Sequence, residues 1–197
     1  MLKTVLPVLL TTLTITACGS FMSTPHIKQN PHPKRRYEIT ISIDGAPGPF
    51  ELVTADMQFD ISNGADCAPQ DPFSGATPTP NYRQTIALTR RGGQTYKGVI
   101  YLDLLEDGNY NRKGVCHWDF TAVGVALKGN DASFYSGIIK DAITTGAPVT
   151  EYLPKRVYAG STVPDLNVAS EPMSDEIASQ RQQYFSITMT TRKDAHE

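Results

Sequence analysis

The densest run of side chains able to do chemistry is Asp103 to Asn111, where Asp103, Glu106, Asp107, Asn109 and Asn111 crowd oxygen donors around Gly108. Hard oxygen ligands suit calcium, but the spacing departs from the helix-flanked calcium loop and the context reads strand-turn-strand. A bound calcium and a solvated hairpin turn are the two readings of this stretch. His117 is the one histidine inside a strand-like run. It alternates with Cys116 and Trp118, so it should face away from them into solvent. Nucleophilic catalysis needs a hydroxyl or thiol activated by a positioned base, and no Gly-x-Ser-x-Gly elbow accompanies this histidine. No His-Glu-x-x-His or paired-cysteine motif supports a zinc site. Asp56 and Asp60 share a strand face, where paired carboxylates could serve glycoside chemistry, yet acids on the outer face of a strand are commonplace. These patterns point away from an enzyme, and they assign no catalytic residue, no metal and no cofactor.

The three cysteines carry different information. Met1–Lys3 is a positive start, Val5 to Ile15 is apolar, and Thr16–Ala17 are small, which is the succession of a secretory signal. The apolar part is too short to stay as a membrane span, which wants roughly 20 residues. Ile15-Thr16-Ala17-Cys18 resembles a bacterial lipobox. In lipoproteins of that kind the cysteine is thioether-linked to diacylglycerol, becomes the first residue after cleavage, and is acylated on its amine. Gly19 stands where an aspartate would retain the protein at the inner membrane. The resemblance therefore implies a lipid anchor in the outer membrane and a body facing the periplasm. In that oxidising compartment Cys67 and Cys116 are expected to pair; two separate buried thiols are the other reading. Closing a loop of about 49 residues would stabilise the fold by ~4 kcal/mol in the chain-entropy model.

The elements that must position these groups follow from punctuation and alternation. Residues 1–17 read as the signal peptide and 18–36 as a lipidated, flexible tether with three prolines and no apolar period. Residues 37–197 read as one domain, long enough to bury a core. The domain carries thirteen basic against twenty acidic residues, a net charge near −7. Such a body disfavours nucleic acid and anionic lipid and favours a basic partner, or it is simply a soluble one. Tyr37, Ile39, Ile41 and Ile43 alternate with polar residues, as do Met57, Phe59 and Ile61, and later Phe185, Ile187 and Met189; each is a half-buried strand. Arg91-Gly92-Gly93 marks a hairpin. The apolar phase slips near Ala122 to Gly124, predicting a β-bulge or a strand that bends between sheets. Residues 134 to 146 are ambiguous between strand and helix, and Ala147–Pro172 reads as irregular. Ser174 followed by two acids predicts a short helix from Asp175 to about Gln182. The expected fold is an all-β antiparallel sandwich of about seven or eight strands with at most one or two short helices.

The Cys18 lipobox, the segment GVIYLDLLEDGNYNRKGVCHWDFTAVGVALKG at Gly98–Gly129 and the closing YFSITMTT together resemble a group of small bacterial lipoproteins. That group is associated with type VI secretion clusters, as immunity partners of antibacterial effectors, particularly lipases. The resemblance implies a periplasmic protein that blocks a toxin by direct contact. Two loops are the candidate contacts: Leu105–Gly114, with Glu106, Asp107, Asn109 and Tyr110, and Thr144–Pro164, with Tyr152, Arg156 and Tyr158. A structural lipoprotein of a secretion apparatus is one rival. The other is a small-ligand or carbohydrate-binding module, which would need a concave aromatic pocket on one sheet.

Overall fold

Alternation builds the first strand, β1 (Arg36–Asp44), which buries Tyr37, Ile39, Ile41 and Ile43 and turns the residues between them outward. The computed structural model describes residues 27–70, 73–77, 80–129, 132–158 and 165–194; Cys18 and the segment read as a signal peptide lie outside the described residues. The last strand, β10 (Tyr184–Lys193), pairs antiparallel with β1, placing Ile41 opposite Met189. On the other side of β1 lies β5 (Thr95–Tyr101). With β4 (Thr89–Gly92) and β8 (Val149–Pro154) these form one sheet in the order β4-β5-β1-β10-β8. The second sheet comprises β2 (Leu52–Ile61), β3 (Asn81–Thr85), β6 (Trp118–Gly129), β7 (Ala132–Ile139) and β9 (Leu166–Ala169), in the order β3-β2-β6-β7-β9. The protein is thus an all-β sandwich of two five-stranded sheets, antiparallel throughout except where β9 runs parallel to β7.

Two differences from the expected element count have simple causes. The segment read as irregular contains β8, whose buried Leu153 lies opposite Phe185; short strands flanked by prolines leave a weak period. Among the described residues, besides a 3-10 turn at Arg181–Gln183, four α-helices occur rather than one or two: α1 (Gly64–Cys67), α2 (Lys140–Thr145), α3 (Lys155–Tyr158) and α4 (Asp175–Ser179). Each is four to six residues long, too short to show an apolar stripe. The Ser174 hydroxyl caps α4 by accepting from the Ile177 N–H at 3.3 Å.

Phe59, Phe120, Phe134 and Phe185 are fully buried between the sheets, with Ile39, Ile41 and Leu127 beside them. The phase slip of β6 is a bulge, one residue earlier than expected. Gln58 pairs with Ala122 but Phe59 with Phe120, so Thr121 is the extra residue. Its hydroxyl reaches Asp60 at 2.7 Å and the Gln58 carbonyl at 3.3 Å. At both open sides of the sandwich the chain crosses between sheets. The segment after β3 hands over through Ile86, whose N–H donates to Ala55, into β4. The segment after β9 leaves β7 at Ser170 and pairs Glu171 with Tyr152 of β8. The edge strands β3, β4 and β9 are four or five residues long, which limits edge-to-edge association.

The tether expected over residues 18–36 differs in its second half, because residues 28–35 are fastened to the body. Gln29 bridges Leu105, the Asn30 N–H donates to Leu104 at 2.7 Å, and the Glu106 N–H donates to Lys28 at 3.0 Å. The Asp103 carboxylate accepts the Lys34 and Arg35 amides at 2.8 and 2.9 Å. Polar, proline-rich sequence hides this strap because its contacts are made by backbone, not by an apolar face. Charged acceptors add roughly 1.5–3 kcal/mol per hydrogen bond. Asp103→Ala is therefore expected to lower unfolding free energy by about 2 kcal/mol and to open residues 28–35 to protease. Urea denaturation and limited proteolysis check this; an unchanged midpoint with an uncut strap contradicts it.

Candidate functional site

The acidic loop after β5 is organised from within. Asp107 accepts the Trp118 N–H at 2.9 Å through one oxygen and meets His117 Nδ1 at 2.6 Å through the other. Asn109 accepts the Gly114 N–H at 3.3 Å, and Asn111 donates to the Cys67 carbonyl at 3.1 Å. Asp103 is occupied by the strap amides. The oxygens of Asp103, Asp107 and Asn109 thus serve different partners instead of converging. Among the described residues no three His, Cys, Asp or Glu side chains gather as a metal-binding group. Beneath the loop, Cys67 and Cys116 form a disulfide with both sulfur-bearing residues fully buried. Asn63 locks the same region, accepting the His117 N–H and donating to the Val115 carbonyl, both at 2.8 Å.

His117 faces outward as expected. No hydroxyl or thiol among the described residues bonds its ring; Ser62 donates instead to its carbonyl at 3.2 Å. Asp56 and Asp60 are likewise engaged, by Thr85 at 2.7 Å and by Thr121 and Gln58 at 2.7 and 3.2 Å.

Four residues expected to reach a partner have structural work. Tyr110 is half-buried, donates to the Glu106 carbonyl at 2.5 Å, and stands edge-on to Trp118 with ring centres 6.3 Å apart. Asp107 and Asn109 are exposed but hold the loop as described. Tyr158 is buried: it stacks on Phe134, meets Phe50 edge-on, and donates to the Pro49 carbonyl. It is core, because α3 turns the chain back over the sandwich end and drives this ring inward. Glu106 and Arg156 are exposed. Tyr152 lies half-buried under the Arg181 guanidinium, 4.7 Å from its ring centre. The two candidate loops do not form one surface. Arg36 begins β1 at the end that carries Leu105–Gly114, and Asp44 ends it level with Ser186 and Tyr152; eight strand steps separate them by roughly 26 Å. Leu105–Gly114 is at one end, and Tyr152 and Arg156 are at the other.

The outer faces of the sheets differ. The first is polar, with Thr40 opposite Thr190, Thr188 bonded to Thr150, and Lys97 bonded to Glu38 at 2.7 Å. The Lys97 hydrogen bond holds the Glu38 carboxyl below its usual value. The second carries a surface that sequence reasoning missed. Gly124 sits directly opposite both Asp56 and Gly137, so the middle of that face lacks side chains. A depression of about 230 Å³ forms there, bordered by Asp56, Gln58, Arg83 and Tyr135. Tyr135 is 45% and Ile139 63% exposed, although both stand on a central sheet surface. The available signal was in β7 itself: once Phe134 and Ile138 are placed inside, alternation puts Tyr135 and Ile139 outside. Comparison with protein-family models, with curated proteins and with solved structures yields no match.

Proposed function

We propose that the chain is an outer-membrane-anchored periplasmic lipoprotein that binds and neutralises an antibacterial toxin, as an immunity protein against a type VI secretion phospholipase effector. The observation that carries this reading is the outer face of the second sheet. An exposed tyrosine and isoleucine beside an arginine, mounted on paired strands, are the residue types and rigidity that protein interfaces concentrate their energy in. Arg83 makes no ion pair among the described residues, which leaves it available to a partner carboxylate. At about 230 Å³ and with one aromatic, Tyr135, the depression is smaller than a small-ligand pocket, which spans roughly 300–1,000 Å³ and is lined by hydrophobic and aromatic side chains. That favours a protein partner over a carbohydrate module.

The test is a competition assay. Cells lacking this protein are expected to die beside sister cells that carry the neighbouring effector, and wild-type protein restores survival. Tyr135→Asp with Ile139→Asp is expected to abolish protection while the purified variant keeps its unfolding midpoint. Full resistance of the deletion strain, together with a secretion machine that no longer fires, would favour the apparatus reading instead.

A further inference from the structure

One glycine of the second sheet has no reason within the described fold to be a glycine. Five glycines lie in strands among the described residues. Gly92 takes a φ of +122°, a backbone state that strains other residues. A Cβ at Gly98 would stand 2.5 Å from Ile86, one at Gly129 2.8 Å from Tyr158, and one at Gly137 3.1 Å from the Val123 carbonyl. Gly124 has no positive φ, and a Cβ there would meet nothing within 4 Å. It faces solvent on β6, the middle strand of its sheet. Such positions favour β-branched and aromatic residues, and a glycine among them weakens the strand. The bulge of β6 falls at Thr121, and the pairing through Gly124 is regular on both sides. A strand glycine that serves no bulge or bend marks a place where another molecule comes close.

What the missing side chain leaves is the floor of the depression. Its cross-strand partners are Asp56 and Gly137, and about 230 Å³ opens between Tyr135 on one bank and Gln58 and Arg83 on the other. A protein cavity of about 150 Å³ takes up benzene, so this space has room for one large apolar side chain arriving from outside. Two charged groups border it, and they differ in state. Asp56 accepts from the Thr85 hydroxyl at 2.7 Å. Arg83 is exposed and makes no ion pair among the described residues. The charge left open to a partner here is positive. Its planar, two-pronged donor fork matches a carboxylate.

We propose that Gly124 is kept bare for the toxin: one large apolar side chain of that protein enters over it, against Tyr135, with a neighbouring carboxylate on Arg83. The inference rests on the immunity reading and adds what the toxin must present. Its test compares variants of the full chain, titrated with the purified neighbouring effector and assayed for protection. Gly124→Val fills the depression with a better strand former. It is expected to keep the unfolding midpoint or raise it by roughly 2 °C, while weakening effector binding by on the order of thirtyfold. Gly124→Ala is expected to fall between valine and wild type in both measurements. Arg83→Glu is expected to weaken binding by a similar factor at an unchanged midpoint. Wild-type affinity of either Gly124→Val or Arg83→Glu overturns the inference and leaves the immunity reading standing. A drop in midpoint for both Gly124→Ala and Gly124→Val also overturns it, because the glycine would then serve the fold. If the wild-type chain neither binds nor protects, the immunity reading fails and this inference fails with it.

Discussion

Replacing Cys67 and Cys116 together by alanine is expected to lower unfolding free energy by about 4 kcal/mol. The bond closes a loop of 49 residues that contains β3, β4, β5 and the acidic loop. In the unfolded chain that closure removes conformational freedom, and its loss is felt almost entirely there. The folded state adds to the effect, because Ile61, Tyr110 and Trp118 pack against the two sulfurs. The acidic loop is also tied through Asn111 to the Cys67 carbonyl. Denaturation in urea without reductant reads the difference. A loss under about 1 kcal/mol would mean that Asn63 and the loop hydrogen bonds hold this end unaided.

Tyr158→Ala is expected to cost about 3–5 kcal/mol, the range for removing a buried aromatic ring. This ring touches Phe50 and Phe134 and reaches across the end of the sandwich to the Pro49 carbonyl. The surroundings are shaped to it: a methyl group added at Gly48 or Gly129 would stand 2.7 or 2.8 Å from its atoms. Tyr158→Phe retains the ring and loses one hydrogen bond, so about 1 kcal/mol is expected. Thermal unfolding of the two variants separates a core role from a binding role. If both were as stable as wild type but lost the partner, the ring would belong to an interface.

The strands with clean alternation were legible because each has one wet and one dry face: β1, β2 and β10 read directly from Tyr37–Ile43, Met57–Ile61 and Phe185–Met189. The disulfide followed from cysteine parity and compartment. Less legible were features whose signal is backbone. The strap over residues 28–35 bonds through amides and carbonyls to Asp103 and Leu104, which any polar sequence could do. Likewise Tyr158 and Tyr110 looked like free aromatic anchors, since a tyrosine in a loop has the same letter whether it points out or in.

By itself, the sequence determined the class of fold and the hairpin at Arg91–Gly93, because periodicity and local turn signals depend on neighbouring residues. Tertiary structure alone decided that β10 lies beside β1, that Tyr110 and Tyr152 sit at opposite ends, and that Gly124 and Gly137 meet beside Tyr135. Those relations join residues far apart in the chain. They are set by how two sheets bury their apolar faces against each other, a condition that no single stretch of sequence states.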